Sequence, residues 1–480
     1  MSLRRTCCLV GVAVALWCAP GAWARAATGA RTTADEPQYL LSAISLAEDR
    51  SLDISDERSD GRYRDFHAAG LPLQEEIRAD GSRVSPHDPL LPALLAVPVA
   101  AGGWLVAKLV LAAVAGTLAA LLVWLAEVRF GVRRRVAVVV VLAFASSAPF
   151  AVYATQVYPE LPAALVVTLA LALVTGPPPL GGFAARRDAL ALVVLTSCLV
   201  WLSVKYAPIG VAFGTAGILR SRARTVLVVA GLASAAIFAI LHMRWYGGFT
   251  PYAAGAHFGD GQLAVLGDRP DYPARSVRVA GLIVDRDFGL AAWQPAYLLA
   301  LPAVGAFVRC RPGGWLPVTL VLIAGWLNAA FLALTMHGWW FPGRQVVVVL
   351  PCVVLLVAWW CARVGPRAAA LLAALGALGA SLYAWLVLQS FTTDLRIVTT
   401  FAELAHPWWR ALGVVLPDGR GDRPIDGLLL AAWAAIAVAA ITLGWRRAGA
   451  RASIDDGCRA SSASDTSDKT RAPHRALVTT

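Results

Sequence analysis

From residue 7 to residue 445 apolar runs of roughly 17 to 25 residues recur along almost the whole chain, separated by polar breaks. A helical run of that length crosses an apolar layer about 30 Å thick. The runs are continuous rather than alternating with polar residues, which predicts helices and not a barrel. The candidate spans are Cys7–Trp23, Trp104–Ala126, Val136–Ala154, Leu161–Val174, Leu190–Val204, Ile209–Leu219, Val226–His242, Ala292–Val308, Leu316–Met336, Val346–Cys361, Ala368–Leu388 and Leu428–Trp445. The fold class expected is therefore all-α, a polytopic transmembrane bundle of about twelve spans. Leu161–Val174 and Ile209–Leu219 are short, and a hairpin around Lys205 is one way to pair them. Pro89–Ala101, interrupted by Pro92 and Pro98, is too short to cross and reads as a re-entrant or interfacial segment.

Composition agrees. Of 480 residues, 58% are hydrophobic and 15% charged, against about 25% charged in soluble domains; mean hydropathy is +0.63. A formal charge of +12 would suggest nucleic acid in a soluble protein. Here the arginines cluster at alternate ends of the apolar runs: Arg4 and Arg5, Arg133 to Arg135, Arg186 and Arg187, Arg220 to Arg224, Arg309 and Arg311, Arg363 and Arg367, and Arg446 onward. That distribution is topogenic, excludes nucleic acid as the natural partner, and places both termini in the cytoplasm of a multi-pass protein of the cell membrane. The first run, with MSLRR before it and AWA and ARA after it, also has the form of a cleavable secretory signal. Keeping it as an anchor leaves every later arginine cluster facing inward, and the topology of the remainder also works without it.

The eight cysteines avoid the expected outer loops, so neither a disulfide framework nor a CxxC metal spacing is implied. The expected organisation is one transmembrane domain, residues 1–445, with outer loops 24–88, 243–291 and 389–427. A tail, 446–480, has too little apolar content to fold and is expected to be disordered in the cytoplasm. Most acidic residues fall in the outer loops, so any chemistry faces outward. Loops this long are functional or disordered.

The first loop contains RTTADEPQYLL, residues 31–41. Asp35 is placed to cap a helix whose first turn holds Glu36 and Pro37, a structural reading that needs no function. The apolar spacing that follows, Tyr39, Leu40, Ala43, Ile44 and Ala47, predicts an interfacial amphipathic helix. A carboxylate fixed at a helix start is equally well placed as a general base. Lys205 and Arg344 are basic residues in short outer turns, where the topogenic rule depletes them; Lys108 lies a few residues inside a span. Snorkelling toward headgroups is the plain explanation of all three.

Asp35, Glu36 and the stretch DEPQYL after a first span resemble the acidic motif in the first outer loop of the GT-C class of membrane glycosyltransferases. SPHDPLLPALLAVP (85–98), WLSVKYAP (201–208), GLIVDRDFGLAAWQPAYLLAL (281–301) and WWFPGRQ (339–345) resemble further stretches of a bacterial branch of that class. The order of the motifs relative to the helices is the specific part of the likeness. The resemblance implies transfer of a sugar from a polyprenyl-phosphate carrier to a glycan, lipid or protein acceptor at the outer face, with membrane lipids around it. Many members carry a soluble C-terminal domain that this sequence does not show, which leaves the acceptor open.

On that reading Asp35 is the base for an inverting transfer, with Glu36 in reserve or orienting it. Arg344 and Lys205 receive the donor phosphate, Arg344 through two parallel hydrogen bonds and Lys205 as a point charge. His87, Asp88 and His337 are candidate substrate contacts. Asp285 and Asp287 form a DxD, a spacing that elsewhere holds a divalent metal, although Arg286 between them and a loop setting favour a turn. No cofactor is required by the sequence, and a divalent metal is the one to test for. Two other classes compete: a transporter or lipid flippase, for which the sequence shows neither a repeat nor many mid-span charges, and a non-enzymatic component of an envelope assembly.

Overall fold

A computed structural model of the chain describes residues 1–177, 181–258, 267, 269–421 and 423–468, with side chains through residue 450. It is an all-α polytopic bundle whose only described sheet is one antiparallel pair, Glu76–Ile77 with Arg83–Val84. Seven helical stretches are long and apolar enough to cross a membrane: Leu3–Trp23, Leu90–Phe130, Arg224–Ala254, Trp315–Leu332, Arg344–Val364, Pro366–Thr392 and Pro424–Ala450. Glu160–Val174 and Pro295–Cys310 are shorter apolar helices. Arg344–Val364 sits at the centre, nearly enclosed by protein, whereas Arg224–Ala254 and Pro424–Ala450 lie at the periphery. The peripheral helices expose Leu232, Ile237, Ile240 and Val438, the outward apolar surface a bilayer requires.

The segment 89–101 is helical and separate from the span after it. Leu90–Phe130 is broken at Gly102 and Gly103, and Gly103 takes the left-handed φ of 66°. The expected single span Val136–Ala154 is instead divided. Its helix Arg134–Ala145 ends where the Ser146 and Ser147 hydroxyls bond back to the Leu142 and Ala143 carbonyls and Pro149 withholds a donor; a short turn, Phe150–Tyr153, follows. The last helix continues as backbone from Pro424 to Asp468, into the tail expected to be disordered; residues 469–480 lie outside the described residues.

Helices meet where side chains are smallest. Leu3–Cys18 crosses Leu90–Phe130 at Gly11 and Gly116, and a Cβ on Gly116 would stand 2.3 Å from the Gly11 carbonyl oxygen. Pro295–Cys310 meets the last helix in the same way: a Cβ on Gly305 would lie 2.0 Å from the Ile441 carbonyl oxygen, and one on Gly444 2.0 Å from that of Pro302. In lipid, where no hydrophobic drive brings helices together, this close backbone approach supplies the packing.

The three long segments between apolar helices contact one another. Ile397 and Val398 donate their N–H groups to the Arg25 and Ala26 carbonyls, joining the third loop to the first. Glu76 accepts from the N–H groups of His257 (2.9 Å) and Phe258 (3.3 Å), joining the second. The helix Glu36–Glu48 is present, but it is not interfacial: residues 36 to 45 are all buried. Along that buried stretch Gln38 donates to Glu75 (3.0 Å) and Ser45 to the Asp53 carbonyl (2.6 Å), and only the last turn, ending at Glu48, reaches the surface.

Gly116→Leu is expected to lower the thermal unfolding temperature of the purified protein sharply, because backbone must move to admit the side chain. Gly231→Leu, with open space around its Cβ position, is the control and should change little.

Candidate active site

The ends of several helices enclose a cavity of about 470 Å³ lined by Asp35, His87, Lys205, Tyr252, Trp340 and Arg344, among others. Asp35 precedes the first full turn of Glu36–Glu48, and the residue before it, Ala34, is forced to φ 45°. The side chain of Asp35 does not cap the helix as the sequence suggested. It turns away to Arg344, accepting from Nη2 at 2.6 Å. Arg344 leaves a turn set by Gly343, which has φ 79° and approaches Pro149 so closely that a Cβ would meet its ring at 2.9 Å. The Arg344 guanidinium lies over the Tyr158 ring at 4.2 Å and the Trp340 ring at 5.1 Å, both cation–π distances.

One residue that sequence reasoning missed closes the constellation. Glu160 Oε1 accepts from Arg344 Nε at 2.8 Å and from Lys205 Nζ at 2.7 Å. Its other oxygen is buried and makes no hydrogen bond. The signal is there in YPELP, residues 158–162, where an acidic residue and a proline open an apolar helix as they do in ADEP. Asp35, Glu160, Arg344 and Lys205 thus form a chain of alternating charges with no formal excess of either sign. Snorkelling is therefore the wrong description of Lys205 and Arg344, since both point into the protein.

Glu36 separates from Asp35. It is fully buried, accepts from the N–H groups of Thr33 (3.0 Å) and Val157 (2.8 Å), and lies 3.6 Å from Lys108 Nζ. Lys108 also donates to the Arg31 carbonyl at 2.6 Å. Burial pushes the Glu36 carboxyl up, against the pull of Lys108 and the two N–H groups. Glu36 fastens the strained turn and does not line the cavity.

Asp88 plays a comparable part. One oxygen accepts from the Val204 N–H at 2.8 Å and the other lies 2.9 Å from His242 Nε2, so Asp88 fixes the turn that carries Lys205. His87 does face the cavity, stacked on Tyr39 at 4.4 Å, with Nε2 buried and without a partner. Burial lowers its imidazole below the usual range, so His87 is neutral near pH 7.

Asp285, Asp287 and His337 stand apart from this cavity. Asp285 accepts from the N–H groups of Asp287, Phe288 and Gly419 and sits 3.3 Å from His337 Nε2. Asp287 pairs with Arg420 at 2.8 Å, and Arg286 with Asp418. Asp285 and His337 line a second cleft, of about 360 Å³, with Arg423 and Asp426. The groups around the DxD are N–H groups, arginines and the His337 ring, drawn from more than one loop.

Burial pushes the Asp35 carboxyl up, but Arg344 more than offsets it and holds the group at about 2.

Neither protein-family models nor curated proteins match this chain in sequence. Among solved structures, ArnT from Cupriavidus metallidurans, in a crystal structure bound to undecaprenyl phosphate, is similar over 91% of this chain and 77% of its own, with a TM-score of 0.51 and 15% identity. The likeness shows that this chain shares the fold of that protein.

Because Asp35 is depressed in the folded state, its share of stability, about 2 kcal/mol, is present above pH 4 and is lost as the pH falls toward 2. Thermal unfolding across that window should show a shallower acid limb for Asp35→Asn. Glu36→Ala should cost more at neutral pH, about 3–5 kcal/mol, because it strands Lys108 and two buried N–H groups.

Proposed function

We propose that this protein is an inverting membrane glycosyltransferase that moves a sugar from a polyprenyl-phosphate carrier to an acceptor hydroxyl at the outer face of the membrane. The observation that carries the reading is the 2.6 Å pairing of Asp35 with Arg344 inside one cavity that Lys205 also lines. A base and two phosphate-seeking cations are what such a transfer asks of a protein. The fold neighbour's undecaprenyl phosphate supports a carrier of that class.

In the proposed reaction the acceptor oxygen attacks the anomeric carbon on the face opposite the phosphate. Its proton passes to Asp35, and the bond between the anomeric carbon and the phosphate oxygen breaks with its electron pair leaving on the phosphate. Arg344 and Lys205 take up that charge as it develops. While Arg344 holds Asp35 at about 2, the carboxylate is a weak base. An arriving phosphate competes for the guanidinium, loosens its hold on Asp35 and raises the basicity of the carboxylate once the donor is seated. Tyr158 and Trp340 keep the guanidinium between the two partners. The carboxylates of the DxD are engaged by N–H groups and arginine, so the proposal assigns no metal to them.

The test is sugar transfer by the purified protein in lipid, with a panel of polyprenyl-phosphate sugars, with and without a chelator. Asp35→Asn should lower the turnover by about 10²- to 10⁴-fold with the protein folded. Arg344→Ala should weaken carrier binding. Undiminished transfer by Asp35→Asn would remove Asp35 as the base, and no transfer from any donor by folded wild type would overturn the reading in favour of transport.

A further inference from the structure

We infer that Asp49, Asp56 and Glu57 form a binding site for a hard divalent cation, Ca²⁺ in the first instance, which clamps the far end of the helix that begins beside Asp35. One carboxylate oxygen from each of the three comes within 4.8 Å of the others, and among the described residues no other His, Cys, Asp or Glu triplet does so. A cluster of acids alone would be unremarkable on a loop. The decisive member is Glu57, whose residue is 2% exposed and whose two carboxylate oxygens both lack a hydrogen-bond partner.

A buried carboxylate with no donor is costly, and proteins almost always provide one. The nearby cations are occupied elsewhere. Arg62 grips Glu48 with both terminal nitrogens, at 2.8 and 2.6 Å, and Arg58 turns to Glu75 at 3.3 Å and to the Leu71 carbonyl at 2.6 Å. Asp49 and Asp56 bring two further carboxylates up to the buried Glu57 side chain. A divalent cation would relieve both the burial and the mutual repulsion.

The ligand set consists of carboxylate oxygens without nitrogen or sulfur, which suits Ca²⁺ and Mg²⁺ rather than zinc or copper. Asp49 and Asp56 are exposed, so water can complete the six to eight ligands of Ca²⁺. Asp49 ends Glu36–Glu48, its N–H bonded to the Ser45 carbonyl at 2.8 Å, while Asp56 and Glu57 open the short helix Ser55–Ser59. A cation there would join those two elements, as Glu36 fastens the other end. The site does not depend on the transferase reading.

The test uses the full chain in lipid nanodiscs, stripped with chelator and titrated with Ca²⁺ by calorimetry and by thermal unfolding. Wild type should bind Ca²⁺ in the range of about 0.1–1 mM expected of extracellular sites, and its unfolding temperature should rise with calcium concentration. The double variant Asp49→Ala/Asp56→Ala removes two exposed groups and should bind at least about tenfold more weakly. Glu57→Gln should raise the unfolding temperature without calcium, by removing the unpaired buried charge, and abolish the response to calcium. No binding by wild type up to about 10 mM, or an equal calcium response in wild type and the double variant, would overturn the inference.

Discussion

A charge placed away from water must be paired, and in this protein that requirement gathers four ionised side chains from four separate parts of the chain. Arg344 lies 184 residues from Glu160 and 309 from Asp35, yet it bonds both. Lys205 completes the group through the same oxygen of Glu160. Each of the four segments is an end of a helix or a tight turn, and three are held in place by contacts outside the cluster: Glu36 for Asp35, Gly343 and Pro149 for Arg344, Asp88 for Lys205. Removing one partner leaves the remaining charges in a site of low polarity, where uncompensated charge is far more costly than at a surface.

The same cluster explains how one cavity can be both stable and reactive. Its charges balance, so the folded protein tolerates them. On the proposed mechanism an incoming phosphate upsets the balance by competing for Arg344, and the group it releases is Asp35. The aromatic rings against the guanidinium permit that exchange because a cation–π contact constrains position without demanding a particular hydrogen-bond partner. Near the cavity, hydrogen bonds tie the described parts of the long loops to each other, from Ile397 and Val398 to the Arg25 and Ala26 carbonyls and from the His257 N–H to Glu76.

Several residues of the cavity are legible as anomalies in the amino-acid sequence. Lys205 and Arg344 stand out because positive charge is scarce in outer turns, and Asp35 because an acidic pair opens a helix after the first apolar run. Glu160 carries the same signal as Asp35 but is hidden at the edge of an apolar span. Periodicity identifies the helix Glu36–Glu48 but not its setting, since Gln38 and Ser45 along it donate to Glu75 and the Asp53 carbonyl, partners no spacing rule can supply.

The sequence by itself determined that the chain is a helical membrane protein with its acidic chemistry at one set of helix ends, because hydrophobic length and the cost of misplaced charge act on each segment independently of the rest. Only the tertiary structure decided which donors each carboxylate meets. Asp35 and Glu36 are adjacent in sequence, yet one meets Arg344 in the cavity and the other is enclosed by Val157, Thr33 and Lys108. Asp285 and Asp287, two residues apart, meet the Gly419 N–H and Arg420 from another loop. The reason is that a carboxylate takes its role from the donors it meets, and those donors come from residues far away along the chain.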